Sequence, residues 1–156
     1  MHEFFESYYD RLQTLHQEVS KAISDLPKEA LDWKPAPSMN SLTVLVVHLT
    51  GAERYWIGDV AGQDSSGRVR SKEFETRGLE AIELQKRLKR TLAHSLAVLQ
   101  QLSLEDLDAS RHSSSDGKTY SVAWALAHAL EHTALHLGHI QIVREIWLED
   151  IAARPG

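Results

Sequence analysis

The apolar positions Phe4, Phe5, Tyr8, Leu12, Leu15, Val19, Ile23 and Leu26 recur at three- and four-residue steps. That period draws one stripe along a helix and predicts one from roughly His2 to Leu26. Pro27 suits the first turn of a short new helix through Leu31. Pro35 and Pro37 then stop it, because a proline biases its predecessor away from helical backbone. A second long helix starts at Asn40 or Ser41, either of which can cap it. It runs through Leu42, Leu45, His48, Leu49, Ala52, Tyr55 and Trp56 to about Val60. Ala61 to Arg70 is rich in Gly, Ser and Asp and reads as a surface loop. A third helix covers roughly Gly78 to Leu102, with Leu79, Ile82, Leu88, Leu92, Leu96 and Leu99 as its inner face. Ser103 to Lys118 is a polar connection with one short turn near Leu104, and a last helix runs from Thr119 or Ser121 to about Glu149. No segment alternates as a strand does. The prediction is an all-α single domain over residues 1–156, a four-helix bundle.

The two halves echo each other. Ser41-Leu-Thr-Val-Leu-Val-Val-His48 aligns with Ser121-Val-Ala-Trp-Ala-Leu-Ala-His128, an offset of 80 residues. Leu26-Pro-Lys-Glu-Ala-Leu-Asp32 aligns with Leu102-Ser-Leu-Glu-Asp-Leu-Asp108, an offset of 76. Each half then reads as helix, short turn and capped helix with a histidine two turns in, an internal pseudo-two-fold.

Composition narrows the chemistry. The chain has 156 residues, 42% of them apolar, and a formal charge of −5, which argues against a nucleic-acid surface. It contains no cysteine, so disulfides, thiolate nucleophiles and Cys-type zinc sites are excluded. The N-terminal residues do not resemble a signal peptide, and no apolar run approaches the ~20 residues of a membrane span. A cytoplasmic location is expected.

The nine histidines are unevenly spread: His128, His132, His136 and His139 fall within twelve residues. At about 100° per residue they share one arc of about 80° on the last helix. Trp124, Leu135, Ile142 and Ile146 border that arc, so this face is expected to turn into the bundle. Buried imidazoles need partners, and a metal is an economical one, since neutral imidazole is its commonest protein ligand. Two histidines at i and i+4 can chelate one ion from a single helix face. His48, alone on an apolar face of the second helix, is the best third ligand. The spacing admits both His128–His132 and His132–His136 as the pair. His2, His16, His94 and His112 look ordinary and are expected to face solvent.

Three motifs carry a resemblance: Trp33-x-Pro-x-Pro-x-x-Asn-Ser before the His48 helix, Glu53-Arg-Tyr-Trp56 within it, and Glu131-His-x-x-x-His136-x-Gly-x-Ile140. Together they resemble the DinB/YfiT-like superfamily of small metalloenzyme-like proteins, along nearly the whole chain. The resemblance implies an up-down-down-up bundle with a long crossover between the second and third helices, and frequently a homodimer. It also implies a divalent metal, zinc or nickel, on three histidines, here His48, His132 and His136. His128 and His139 then become groups behind the ligands or near the open position, and Tyr55 a further substrate candidate. Some relatives use low-molecular-weight thiols such as bacillithiol, mycothiol or glutathione. The usual Arg and Gln after the last ligand are Leu137 and His139 here.

Other marked residues have plainer readings. Gly138 suggests close approach of another helix, Glu131 an exposed side chain, and Arg144 a structural ion pair away from the metal. The four tryptophans read as core or interface anchors. The resulting expectation is a metal-dependent thiol S-transferase acting on a small molecule. A metal-dependent hydrolase and a non-catalytic metal- or ligand-binding stress protein are the alternatives.

Overall fold

A computed structural model describes residues 1–153. Helix α1 spans Glu3–Ile23, α2 Lys28–Asp32, α3 Leu42–Glu53, α4 Arg70–Glu73, α5 Ala81–Leu99 and α6 Val122–Ala153. α3 continues without a break into a π-helical segment, Arg54–Ala61, and a 3-10 turn covers Leu104–Asp108. Ser41 caps α3 through its hydroxyl, which accepts from the Val44 N–H at 3.2 Å. Ser121 does the same for α6, accepting from Trp124 at 3.1 Å. A short helix and a serine-capped long helix therefore recur in both halves, in the register of the sequence echo.

Contacts fix the direction of each long helix. Tyr8 donates to the carbonyl of Leu126, and Arg144 reaches Ala22 and Asp25, so α1 and α6 run the same way. Thr50 meets Arg87 while Glu53 meets Ser95, so α3 and α5 also run parallel to each other. His48 faces His132 and His136, whereas Trp56, further along, faces Trp124 and His128, so α3 runs against α6. The topology is up-down-down-up. Two consecutive parallel helices need a crossover along the bundle, and residues 62–80, containing α4, provide it.

The core has two apolar clusters stacked along the bundle axis. One holds Val19, Leu49, Leu88 and Leu137; the other holds Leu12, Ala52, Val98 and Ala129. A buried polar layer lies between them. Each long helix contributes to it: His16 from α1, Glu53 from α3, Thr91 and Ser95 from α5, and Thr133 from α6. Glu53 is 1% exposed. Nε2 of His16 donates to one of its oxygens, and the Ser95 hydroxyl donates to the other at 2.7 Å. His16 is thus a core residue, not the solvent-facing one its isolation implied. His94 is half-buried and meets Asp64 at 2.9 Å, while His2 and His112 are exposed as expected.

Three further expectations change. The inner face of α5 is Leu84, Leu88, Thr91, Ser95, Val98 and Leu99, while Ile82 is exposed. The polar connection holds an antiparallel hairpin of β1, Ser110–His112, and β2, Thr119–Ser121. Its sequence signal is Asp116-Gly117 at the turn, where Gly117 has φ +71°. Finally, a Cβ added to Gly138 would meet nothing within 4 Å, so no helix of this chain approaches it.

Replacing Glu53 with Ala strands the buried His16 imidazole and the Ser95 hydroxyl together. It is expected to destabilise the protein by about 3–5 kcal/mol, the range for breaking a buried pair. Glu131→Ala, on the exposed face of α6, should stay within about 0.5 kcal/mol of wild type. Urea denaturation of both variants measures the difference; similar values would show that the polar layer contributes nothing.

Candidate metal centre

The histidine arc of α6 is turned only part-way inward. On a wheel of about 100° per residue, the buried positions Ala125, Ala129, Thr133, Ile140, Val143 and Trp147 centre about 100° from His128. His132, about 40° from His128, lies on the shoulder of that face and His136, about 80°, within it; both are half-buried. His139 lies outside it and is exposed. Trp124, Leu135, Ile142 and Ile146, expected inside, are exposed as well. The hydrophobicity of α6 therefore extends beyond the face that packs, and periodicity alone misplaced the core side.

His48, 6% exposed, comes from the neighbouring α3 to meet His132 and His136. The candidate ligand atoms of His48, His132 and His136 all lie within 4.8 Å of one another. Nε2 of His132 and Nε2 of His136 are 3.2 Å apart. His128 is not part of this group. Its ring stacks on Trp124 at 4.8 Å between centroids and is 5.9 Å from that of His132. Nδ1 of His139 lies 3.4 Å from Nδ1 of His136, behind the ring and away from the centre of the group.

The crossover supplies a residue that sequence reasoning missed. Nδ1 of His48 donates to Glu73 at 2.8 Å, which directs Nε2 at the other two imidazoles. Arg68 holds the same carboxylate by two bonds, Nε at 2.6 Å and Nη2 at 2.8 Å. Phe74 packs on the His48 ring at 4.9 Å. Gly51 makes room for this arrangement, because a Cβ there would collide with the Glu73 carboxylate. The available signal was the short run Arg68-Val-Arg-Ser-Lys-Glu73, an acid among bases that begins in the predicted loop and ends beyond it.

Burial and nearby positive charge tune the group. Burial, with the neighbouring His136, His48, His128 and Arg68, pushes His132 down from 6.5 to about 3. Burial, with His48 and His139, pushes His136 down to about 4. Burial pushes Glu73 up, but the hydrogen bonds from Arg68 and His48 outweigh it and hold the carboxyl below its ordinary value. The imidazoles of His132 and His136 are thus neutral at physiological pH, with lone pairs free for an acceptor role. Nδ1 of His132 is buried and has no hydrogen-bond partner.

A cleft of about 330 Å³ opens on the His48–His132 side. Tyr55 and Trp56, side by side on the π-helical segment, form one wall, and Arg68 and Arg70 another. A π-helical stretch inside an α-helix is a frequent mark of functional sites. The Tyr55 hydroxyl is already engaged: it meets Ser113 at 2.9 Å and accepts from the Ser115 N–H at 3.0 Å. It braces the hairpin over the cleft. Arg144, as expected, lies away from the site in a two-bond pair with Asp25 at 2.6 and 2.8 Å.

A family model described as mycothiol-S-transferase matches residues 9–147. The chain belongs to that family. Solved structures share its fold at low identity. A DinB-like protein from Bacillus subtilis is 21% identical with a TM-score of 0.68, covering 90% of this chain and 91% of that one. A DinB-like protein from Bacillus cereus is 16% identical with a TM-score of 0.74, covering 90% of each. YfiT from Bacillus subtilis, described as a probable metal-dependent hydrolase with an unusual four-helix bundle topology, is 12% identical with a TM-score of 0.72. The match covers 93% of this chain and 89% of YfiT. No curated protein matches the chain. The mycothiol-S-transferase family member described here is thus a DinB/YfiT-like four-helix bundle, and no helix among its described residues is long and apolar enough to cross a membrane.

The depressed histidines set a pH dependence for metal-free protein. The unfolded chain takes up protons on these imidazoles near 6.5, the folded chain only near about 4 and about 3. Between those values the unfolded state binds more protons, so stability falls as pH is lowered through 6.5 and below. Chelator-treated protein should lose stability between about pH 6.5 and 5, where ordinary carboxylates stay ionised. The double variant His132→Asn/His136→Asn should show a flatter profile in urea denaturation. An equal slope in both proteins would refute the assignment.

Proposed function

We propose that the protein binds one divalent metal through His48, His132 and His136 and is a metal-dependent S-transferase using a low-molecular-weight thiol. The observation that carries this reading is the convergence of three imidazoles from two helices, one of them oriented by a carboxylate. Three histidines with further positions open are the pattern of catalytic rather than closed structural sites. A zinc or nickel ion there supplies a Lewis acid that lowers the pKa of an exogenous thiol near neutral pH. The chain has no cysteine, so the sulfur must come from a co-substrate.

The protein's own residues then have separate tasks. Glu73 fixes the tautomer and direction of His48, and Arg68 fixes Glu73. Trp56 and Tyr55 offer an aromatic wall for the acceptor molecule, and Arg68 and Arg70 favour an anionic sulfur at the cleft. His128, stacked on Trp124 and edge-on to Trp56, positions that wall. His139 supports His136 from behind. A cytoplasmic location accords with use of such thiols.

A metal-dependent hydrolase is the second reading, favoured by the likeness to YfiT. The same open positions would then serve water instead of a thiol. We further propose a homodimer formed through the exposed stripe Leu135, Ile142 and Ile146, where Gly138 admits close approach of a second helix.

Metal analysis of purified protein should find about one divalent ion per chain. His48→Ala, His132→Ala and His136→Ala should each lose it, while His128→Ala keeps it. Glu73→Gln should weaken binding about 10–100-fold, as loss of an outer partner of a ligand does. Full occupancy in His132→Ala would remove the site. Thiol-dependent consumption of an electrophile supports the transferase; thiol-independent ester cleavage supports the hydrolase. For the dimer, light scattering should report twice the chain mass, and Ile142→Asp should halve it. A monomeric wild type at micromolar concentration would contradict that part.

A further inference from the structure

A second cleft, of about 660 Å³, lies between α3, α5 and the crossover, on the far side of Glu73 from the cleft that faces the histidines. Its lining is strongly cationic in a protein whose net charge is −5. Arg54 is neutralised by Asp59 and Asp64, and Arg68 by Glu73. Lys72, Arg87 and Arg90 also line it, and none of the three has a carboxylate partner among the described residues. Glu73 is the only acid in the lining, and it is committed to Arg68 and His48.

Arg87 is the decisive group. It is half-buried, and its single protein partner is neutral: Nε donates to the Thr50 hydroxyl at 2.8 Å. Thr50 is fixed as an acceptor there, because its own proton goes back to the carbonyls of Val46 and Val47 at 2.8 and 3.0 Å. That bond anchors the guanidinium at Nε, and its two terminal nitrogens have no protein partner among the described residues. Removing a cation from water is unfavourable, and burial pulls the Arg87 pKa down against the opposing pull of the Glu73 charge. A planar guanidinium with a free edge is matched to a two-oxygen anion.

We propose that this cleft binds a compact dianion, inorganic phosphate or the phosphate of a phosphomonoester, with Arg87 as the pre-oriented anchor and Arg90 and Lys72 completing the charge. The site is independent of the metal reading, since none of its three anchors touches the histidine group. It abuts that group through the Arg68–Glu73 pair.

Isothermal titration of metal-loaded protein with inorganic phosphate at fixed ionic strength tests this, with acetate as the monoanion control. Wild type should bind phosphate saturably and prefer it to acetate. Arg87→Gln should lower the affinity at least about tenfold, the order expected for losing a charge-assisted pair. Thr50→Val, which frees the Nε of Arg87, should weaken it as well. Lys86→Gln removes the same charge from an exposed site on α5 outside the cleft and should leave binding intact. If Arg87→Gln does not fold by circular dichroism, Arg90→Gln carries the comparison. Repeating the titration in His132→Ala separates the sources of a signal. Binding that survives there supports the cleft. Binding lost in His132→Ala but kept in Arg87→Gln places the anion on the histidines and overturns the proposal. Equal affinity in all variants, or no saturable binding in wild type, also overturns it.

Discussion

Polar groups at mid-height in the bundle must find partners without water, and much of the structure follows from how they do. Two apolar clusters enclose a layer of His16, Glu53, Thr91, Ser95 and Thr133. Glu53 resolves most of it internally, accepting from two helices at once. His48, on the same helix, cannot be resolved from within the bundle. Its partner comes from outside, as Glu73 of the crossover. His132 keeps one buried nitrogen without any partner. Nδ1 of His16 is unpaired as well, so what sets His132 apart is its place in the histidine group rather than the missing bond.

The helix order makes that outside help available. With α3 and α5 parallel, the chain must return along the bundle before α5 begins, and it passes over His48 on the way. A simple up-down-up-down bundle joins its helices by short loops and has no such strap. The same strap sets two clefts back to back, with the Arg68–Glu73 pair as the partition between them. Gly51 allows the partition to sit close to α3. One segment of chain thus orients an imidazole on one side and encloses a positively charged recess on the other.

Much of this was legible in the sequence, and the gaps have specific causes. Four helices, both serine caps and the isolated His48 followed from period and spacing. The resemblance chose His136 over His128, and the geometry groups the same three side chains. The spacing could not choose, because both pairs lie at i and i+4. The inward face of α6 was misjudged because the helix is apolar on more than one side. Leu135, Ile142 and Ile146 border the histidine arc yet face outward. His16 occupies a place in the α1 stripe, but its burial depends on Glu53, thirty-seven residues away, which a local pattern cannot reveal. Glu73 and Arg87 were missed for the opposite reason: charged residues in a loop and on a helix look solvated until the partners they have, or lack, are known.

The three grouped histidines are split unequally between α3 and α6, and this bears on the order of assembly. His132 and His136 are one turn apart, so the pair exists as soon as that stretch is helical. His48 lies 84 residues earlier in the chain than His132 and arrives only when the two helices dock. Closing a loop that long is a late, slow event relative to helix formation. Whatever the group holds therefore acts as a clasp on a finished tertiary contact. The His132–His136 pair can brace one turn of α6, whereas the part that His48 adds acts on the opening of α6 from α3.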